Sequence, residues 1–192
     1  TGETATTVAE FKMTSRVTDD ATPVISTTNN PLVFLYSAPG CGIQGRMRVR
    51  FTSPDGVVQR TPYQRCHGST SMNFYLAGMR AQSLYSVQHI LDTGSDFVSG
   101  PMLTVTTDSI SLVPPNYSVY QPPMDASQAG VLLPCALYVP TLATDLYGNV
   151  IWYYDGKVST TTRAESGGYF LGIGSDAPGD ASHQFVKKFD LA

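Results

Sequence analysis

Arg46-Met47-Arg48-Val49-Arg50-Phe51-Thr52 alternates between cationic and apolar side chains, and Ser53-Pro54-Asp55-Gly56 follows at once. Alternation has the two-residue period of a β-strand. It puts Met47, Val49 and Phe51 on one face and Arg46, Arg48 and Arg50 on the other. In the turn, Pro54 presets a bent φ, Asp55 bonds its own backbone and Gly56 accepts positive φ. The chain therefore reverses, and Val57 to Thr61 returns as an antiparallel partner. Half-buried strands joined by tight turns are the expected building plan.

Outward from this hairpin the same signals recur. Leu32 to Tyr36 is a continuous apolar run, expected as a buried strand. Met72 to Leu76 and Leu84 to Leu91 form another pair. Met102 to Thr106 is entered through Ser99-Gly100-Pro101. Upstream, Val8, Phe11 and Met13 line one weak strand in a polar arm. Asp19-Asp20 and Asn29-Asn30-Pro31 mark turns. About seven strands in roughly 100 residues with regular turns imply a β-sandwich. Phe74, Leu76 and Met79 precede Tyr85 at the spacing of a loop that crosses between two sheets. This resembles the fibronectin type III pattern, in which the tyrosine ring enters the core and its hydroxyl satisfies a loop carbonyl.

Residues 109–130 read as a linker. Val113-Pro114-Pro115 and Gln121-Pro122-Pro123 cannot occupy a central strand, because proline lacks the ladder donor. Asn116-Tyr117-Ser118 within it is a glycosylation sequon, with Asn116 as acceptor. The strand pattern then restarts. Gly130 to Val139 is one strand, and Leu142 to Thr144 and Val150 to Tyr154 flank a turn at Asp145 to Asn149. Tyr169 to Ile173 and Gln184 to Leu191 follow. Four short antiparallel strands in about 60 residues look like one propeller blade. The expected fold class is all-β. A fibronectin type III or immunoglobulin-like β-sandwich (1–108) and a Pro-rich linker (109–130) precede an antiparallel sheet resembling one blade (131–192), itself expected to be an incomplete domain.

Composition agrees. Of the 192 residues, 42% are hydrophobic, enough for a core, and 14% are charged, against a usual share of ~25%. Helix-period apolar patterns are absent. Net charge is −3, so nothing global attracts nucleic acid or anionic lipid. The charge is uneven: residues 1–80 hold eight Lys or Arg against five Asp or Glu, and residues 81–192 hold four against ten. No apolar run approaches the ~20 residues of a membrane-spanning helix. Cys41 and Cys66 lie in loop-like contexts and form the natural disulfide pair in a secreted, extracellular or periplasmic chain. Cys135 is left over in an apolar run, as a buried thiol or with a partner elsewhere. Cys-x-x-Cys and His clusters are absent, so neither metal nor other cofactor is expected.

Ala143-Thr144-Asp145-Leu146-Tyr147-Gly148-Asn149-Val150-Ile151-Trp152-Tyr153-Tyr154 resembles the first-blade hairpin of the secreted arylsulfotransferase-like family. Gly167 to Ile173 is similar to the next strand of that blade, and Phe185 to Ala192 to its closing strand. Asn30-Pro31-Leu32-Val33, Ala77-Gly78-Met79 and Leu84-Tyr85 resemble the family's amino-terminal domain. The resemblance implies a sandwich followed by a six-bladed propeller. It also implies sulfuryl transfer between phenols by a histidine nucleophile with further His and Arg, all from later blades. No catalytic residue carries over to this chain. The expected partners are the remaining blades, or a second copy pairing with exposed strand edges; nucleic acid is not expected. The alternative is a secreted binding or self-assembling module without enzymatic activity.

Among the residues themselves, His67, His89 and His183 show no paired base or anion-binding partner, which a histidine nucleophile requires. Arg46, Arg48 and Arg50, with Arg60 across the hairpin, form a candidate oxyanion-binding stripe, because guanidinium forks match such groups. Asp145 with Asn149 reads as a capped turn rather than a calcium site. Trp152-Tyr153-Tyr154 reads as packing between sheets in preference to a platform for a sugar or phenol.

Overall fold

The computed structural model describes residues 16–17, 22–112, 118–121, 123, 130–134, 140–154, 156–166, 168–177 and 179–192. The protein is all-β, built of several antiparallel sheets. The helical structure among the described residues is one 3-10 turn, Ala181–His183. The expected strand through Val8, Phe11 and Met13, the Asp19-Asp20 turn, Asn116 and Cys135 all lie outside the described residues.

Nine strands precede residue 108: β1 (Val24–Thr27), β2 (Phe34–Ala38), β3 (Arg46–Thr52), β4 (Val58–Arg60), β5 (Gln64–Arg65), β6 (Met72–Leu76), β7 (Leu84–Asp92), β8 (Phe97–Ser99) and β9 (Leu103–Thr106). One sheet has the order β1-β2-β6. The other has the order β4-β3-β7-β8, with β5 also along β3 and β9 also along β7. The alternation in β3 is realised as expected: Met47, Val49 and Phe51 are buried, and the arginines face outward. Tyr36, Phe74 and Leu76 from the first sheet meet Met47, Val49, Phe51, Tyr85 and Val87 from the second in one core. Tyr85 is buried, as the crossing pattern requires. Its hydroxyl accepts from the Arg80 amide at 2.9 Å, so the loop group it satisfies is an N–H and not a carbonyl. Cys41 and Cys66 are disulfide-bonded with Cα atoms 5.4 Å apart. The bridge joins the loop after β2 to the end of β5, and so links the two sheets. A disulfide fits an oxidising, non-cytoplasmic compartment, and none of the described helical structure is long and apolar enough to cross a membrane.

One polar contact crosses this core. The Tyr36 hydroxyl and His89 Nδ1 are hydrogen-bonded at 2.8 Å. A β-carbon at Gly100 would collide with the His89 ring, so glycine there lets the strand close over the imidazole. Burial pushes the Tyr36 phenol up to about 12 and pushes the His89 imidazole below its ordinary 6.5. The unfolded chain then binds the His89 proton first. Stability is intact above about pH 6.5 and falls as pH drops below it, with a limiting slope of about 1.4 kcal/mol per pH unit. Asp55, Asp92, Glu165 and Asp180 have depressed pKa values and act lower, where carboxylates titrate. Urea midpoints taken between about pH 7.5 and 5 should therefore fall in the wild type and stay nearly flat in His89→Gln. Equal slopes would show that His89 does not carry the effect.

The carboxy-terminal part holds β10 (Leu142–Thr144), β11 (Val150–Tyr153), β12 (Val158–Glu165), β13 (Tyr169–Ser175) and β14 (Gln184–Asp190). Here the strand layout differs from the expectation. β10 and β11 form their own two-stranded sheet, and β12-β13-β14 is a separate three-stranded one. The sequence pattern had passed over β12, because Val158-Ser159-Thr160-Thr161-Thr162-Arg163-Ala164-Glu165 carries a single large apolar side chain. Of the expected strand from Gly130 to Val139, the described residues show a bridge from Leu132 to Thr144.

Leu32 and Val33 also differ from the expectation. They precede β2 and pack with the carboxy-terminal elements: Leu32 with Leu142, Val150 and Tyr153, and Val33 with Ala143, Ile151 and Trp152. Asn30 is buried beside them. Its Nδ2 donates to the Tyr153 carbonyl at 2.7 Å, and its Oδ1 accepts from the Leu32 amide at 3.0 Å. The segment that opens the first sheet therefore also anchors the hairpin.

Candidate functional site

The outer face of β3 places five arginines together. Residues directly opposite in antiparallel strands share a face. Arg46 lies opposite Arg65, and Arg50 lies opposite Arg60. Arg48 stands between them on the same side. Tyr63 supports the group: the Arg46 and Arg48 guanidinium carbons lie 4.3 and 4.5 Å from its ring centroid. Arg46 pairs with Asp92 at 2.8 Å, and that guanidinium holds the Asp92 carboxyl below its usual range. Arg50 donates to the Gln88 side-chain oxygen at 3.0 Å. Among the described residues, no hydrogen-bond or ion-pair partner is seen for Arg60 or Arg65. The Arg48 Nε is shielded from solvent without a hydrogen-bond partner.

The sequence located three of these residues through the alternation of β3 and placed Arg60 across the hairpin. It did not bring in Arg65 or Tyr63. No periodicity marks either residue, since β5 is two residues long; pairing register brings Arg65 opposite Arg46, and Tyr63 arrives just ahead of that short strand.

The histidines are spread apart. His89 is enclosed in the core with Tyr36. His67 is exposed, with its Nδ1 3.4 Å from the Thr70 hydroxyl. His183 is exposed at the end of the 3-10 turn, 3.8 Å from Asp180. Among the described residues, nothing around them assembles a nucleophile with a base and an oxyanion pocket, and no group of His, Cys, Asp and Glu could hold a metal ion.

The hairpin turn explains itself without metal. Asp145 Oδ1 accepts from the Tyr147 and Asn149 amides, each at 2.9 Å, and Gly148 sits at φ 82°, where glycine is favoured. Asp145 Oδ2 receives Arg80 Nε at 3.0 Å, while Arg80 Nη1 reaches Asp55 at 3.0 Å. One guanidinium thus ties the β3–β4 turn to the β10–β11 turn.

Trp152 is packed as expected. Its ring is stacked on Phe189 at 6.2 Å and lies 5.4 Å from Phe170, and its Nε1 donates to the Leu191 carbonyl at 2.9 Å. Tyr154 stacks on Phe189 at 4.2 Å. Beside this cluster is a cleft of about 480 Å³ whose lining includes Tyr154, Tyr169, Lys187 and Lys188. Each lysine is already engaged: Lys187 over Tyr154, and Lys188 over Tyr169 and on Glu165.

No protein-family model matches the chain, and no curated protein or solved structure does either.

Proposed function

We propose that this chain is the amino-terminal, non-catalytic portion of a secreted arylsulfotransferase-like protein. In this reading, residues 1–108 are a fibronectin type III-like sandwich, and the sheets after residue 131 begin a propeller. Sulfuryl transfer by a histidine nucleophile belongs to further blades. The observation that carries the proposal is the two-faced character of the β12-β13-β14 sheet. One face packs Phe170 and Phe189 on Trp152. The other carries Arg163, Glu165, Lys188 and Asp190 toward one end but leaves Ile173 directly opposite Val186, both exposed. A sheet covered on one side alone is normally polar on the other. An exposed apolar pair on that face is a place for a neighbouring sheet to stack, as blades do in a propeller. The Asn30 and Arg80 contacts fit a hairpin that seats such a structure on the sandwich.

A test uses antibodies raised against this chain. They should capture, from the medium of the source cells, a polypeptide larger than 20.7 kDa that transfers the sulfuryl group of 4-nitrophenyl sulfate to a phenol. The isolated chain should transfer none. Turnover by the isolated chain, or a secreted species of 20.7 kDa without activity, overturns the reading.

The same exposed pair also favours a second reading, a secreted self-assembling module in which another copy covers Ile173 and Val186. Light scattering separates the two. Self-association abolished by Ile173→Ser with Val186→Ser supports assembly, and a strict monomer excludes it.

A further inference from the structure

We propose that the arginine face of β3, β4 and β5 is a docking surface for a sulfated polysaccharide. Five of the chain's arginines stand on one face of one sheet in a protein whose net charge is −3. Two pairs are directly opposed in register, Arg46 with Arg65 and Arg50 with Arg60. Like charges directly opposite destabilise a sheet, so folding alone gives no reason for this arrangement. In strand register, the acidic residue opposite any of the five is Asp92, which faces Arg46. At the other end, Arg50 faces Gln88 and Arg60 in register, not a carboxylate.

Geometry selects the class of ligand. Alternate residues on a strand are about 6.8 Å apart, so Arg46 to Arg50 spans about 14 Å, with Arg60 and Arg65 one strand away. A single small oxyanion reaches one or two guanidinium groups. A polymer with regularly repeated anionic groups reaches all five. Guanidinium forks are matched bidentately by sulfate oxygens. Arg48 and Arg46 are held over Tyr63, which fixes two of the forks in advance and lowers the ordering cost of binding. The disulfide fits an oxidising compartment, where acidic glycans are the polyanions at hand. Single-stranded nucleic acid is bound on aromatic rings open to stacking, whereas the aromatic ring within this face, Tyr63, is already occupied by guanidinium groups.

The experiment measures fluorescence anisotropy of a labelled, size-defined heparin oligosaccharide with the purified chain. Binding should be salt-sensitive and should be lost when the oligosaccharide is desulfated. Arg60→Ala with Arg65→Ala should weaken it by about tenfold or more, the loss expected when charge-assisted hydrogen bonds are removed. Both residues are exposed and unpaired among the described residues, so the fold should be untouched; circular dichroism checks this. Arg163→Ala, on a different sheet, should leave affinity unchanged. Failure to bind heparin at low salt overturns the proposal. So does affinity indifferent to Arg60 and Arg65, or equal binding of a uridine oligonucleotide of matched length. Arginine-dependent dimerisation without polyanion would assign the face to the acidic part of a second copy and would also overturn it.

Discussion

Trp152→Ala is expected to lower the stability of the carboxy-terminal unit by about 3–5 kcal/mol, the range for removing a large aromatic from a packed core. Trp152 is 4% exposed and touches Phe170 and Phe189 from two further strands. Truncation leaves a cavity between the hairpin and the three-stranded sheet, and leaves the Leu191 carbonyl without its donor. These sheets share no strand ladder; beyond the Thr141 amide and hydroxyl, which both donate to the Val158 carbonyl, apolar contact at this place holds them together. Trp152→Phe separates the contributions: it retains a ring but loses the N–H, and should cost about 1 kcal/mol for the hydrogen bond plus the packing lost with the smaller ring. Urea denaturation followed by circular dichroism gives both values. A Trp152→Ala loss below about 1 kcal/mol would mean that the two sheets are held by something else.

Replacing Cys41 and Cys66 together by serine is expected to cost about 3 kcal/mol. The bridge closes a loop with a sequence separation of 25, and the chain-entropy relation gives a value of that order. Its position makes the effect directional, because it couples a loop of the first sheet to a strand end of the second. Beside it, Gly42 and Gly68 pair through their backbones, with the Gly42 amide donating to the Gly68 carbonyl at 3.0 Å. Hydrogen exchange in the double variant should accelerate first at Gly42, at Gly68 and at the substituted position 66, and leave the ladder of β13 with β14 unchanged. Uniform acceleration across both halves would show one cooperative unit. An unchanged urea midpoint would show that the bridge adds nothing to the core.

The effect of acid on His89 belongs to the same core. Cys66 links the two amino-terminal sheets at one end by covalent chemistry, while Tyr36 and His89 span the core between them by a hydrogen bond. The first contribution is set by redox conditions and the second by pH. Reduction and mild acid should therefore destabilise the amino-terminal half independently.

Much of the fold was legible where side chains alternate. β3 and β7 carry apolar residues on one face over seven and nine residues, and a period of two can only be a half-buried strand. The turn at Ser53 to Gly56 and the Asp145 turn were readable because each rests on chemistry local in sequence, and the disulfide pair because Cys41 and Cys66 lie in loop-like contexts while Cys135 lies in an apolar run. β1, β5, β8 and β12 were not readable. β5 is two residues long, β8 is exposed throughout, and β12 is mostly polar. Such strands form because a neighbour offers unpaired backbone groups, and composition does not record that offer.

By itself, the sequence determined that the chain is all-β, which faces of its long strands are apolar, and where three arginines align. Only the tertiary structure decided that Leu32 and Val33 belong with the hairpin instead of the first core, and that β10-β11 stands apart from β12-β13-β14. It also decided that Arg65 joins Arg60 in closing the stripe into a five-arginine face. The physical reason is common to all three: strand pairing and core membership are set by contacts between residues far apart in the chain, whereas alternation, turns and caps are set within a few residues.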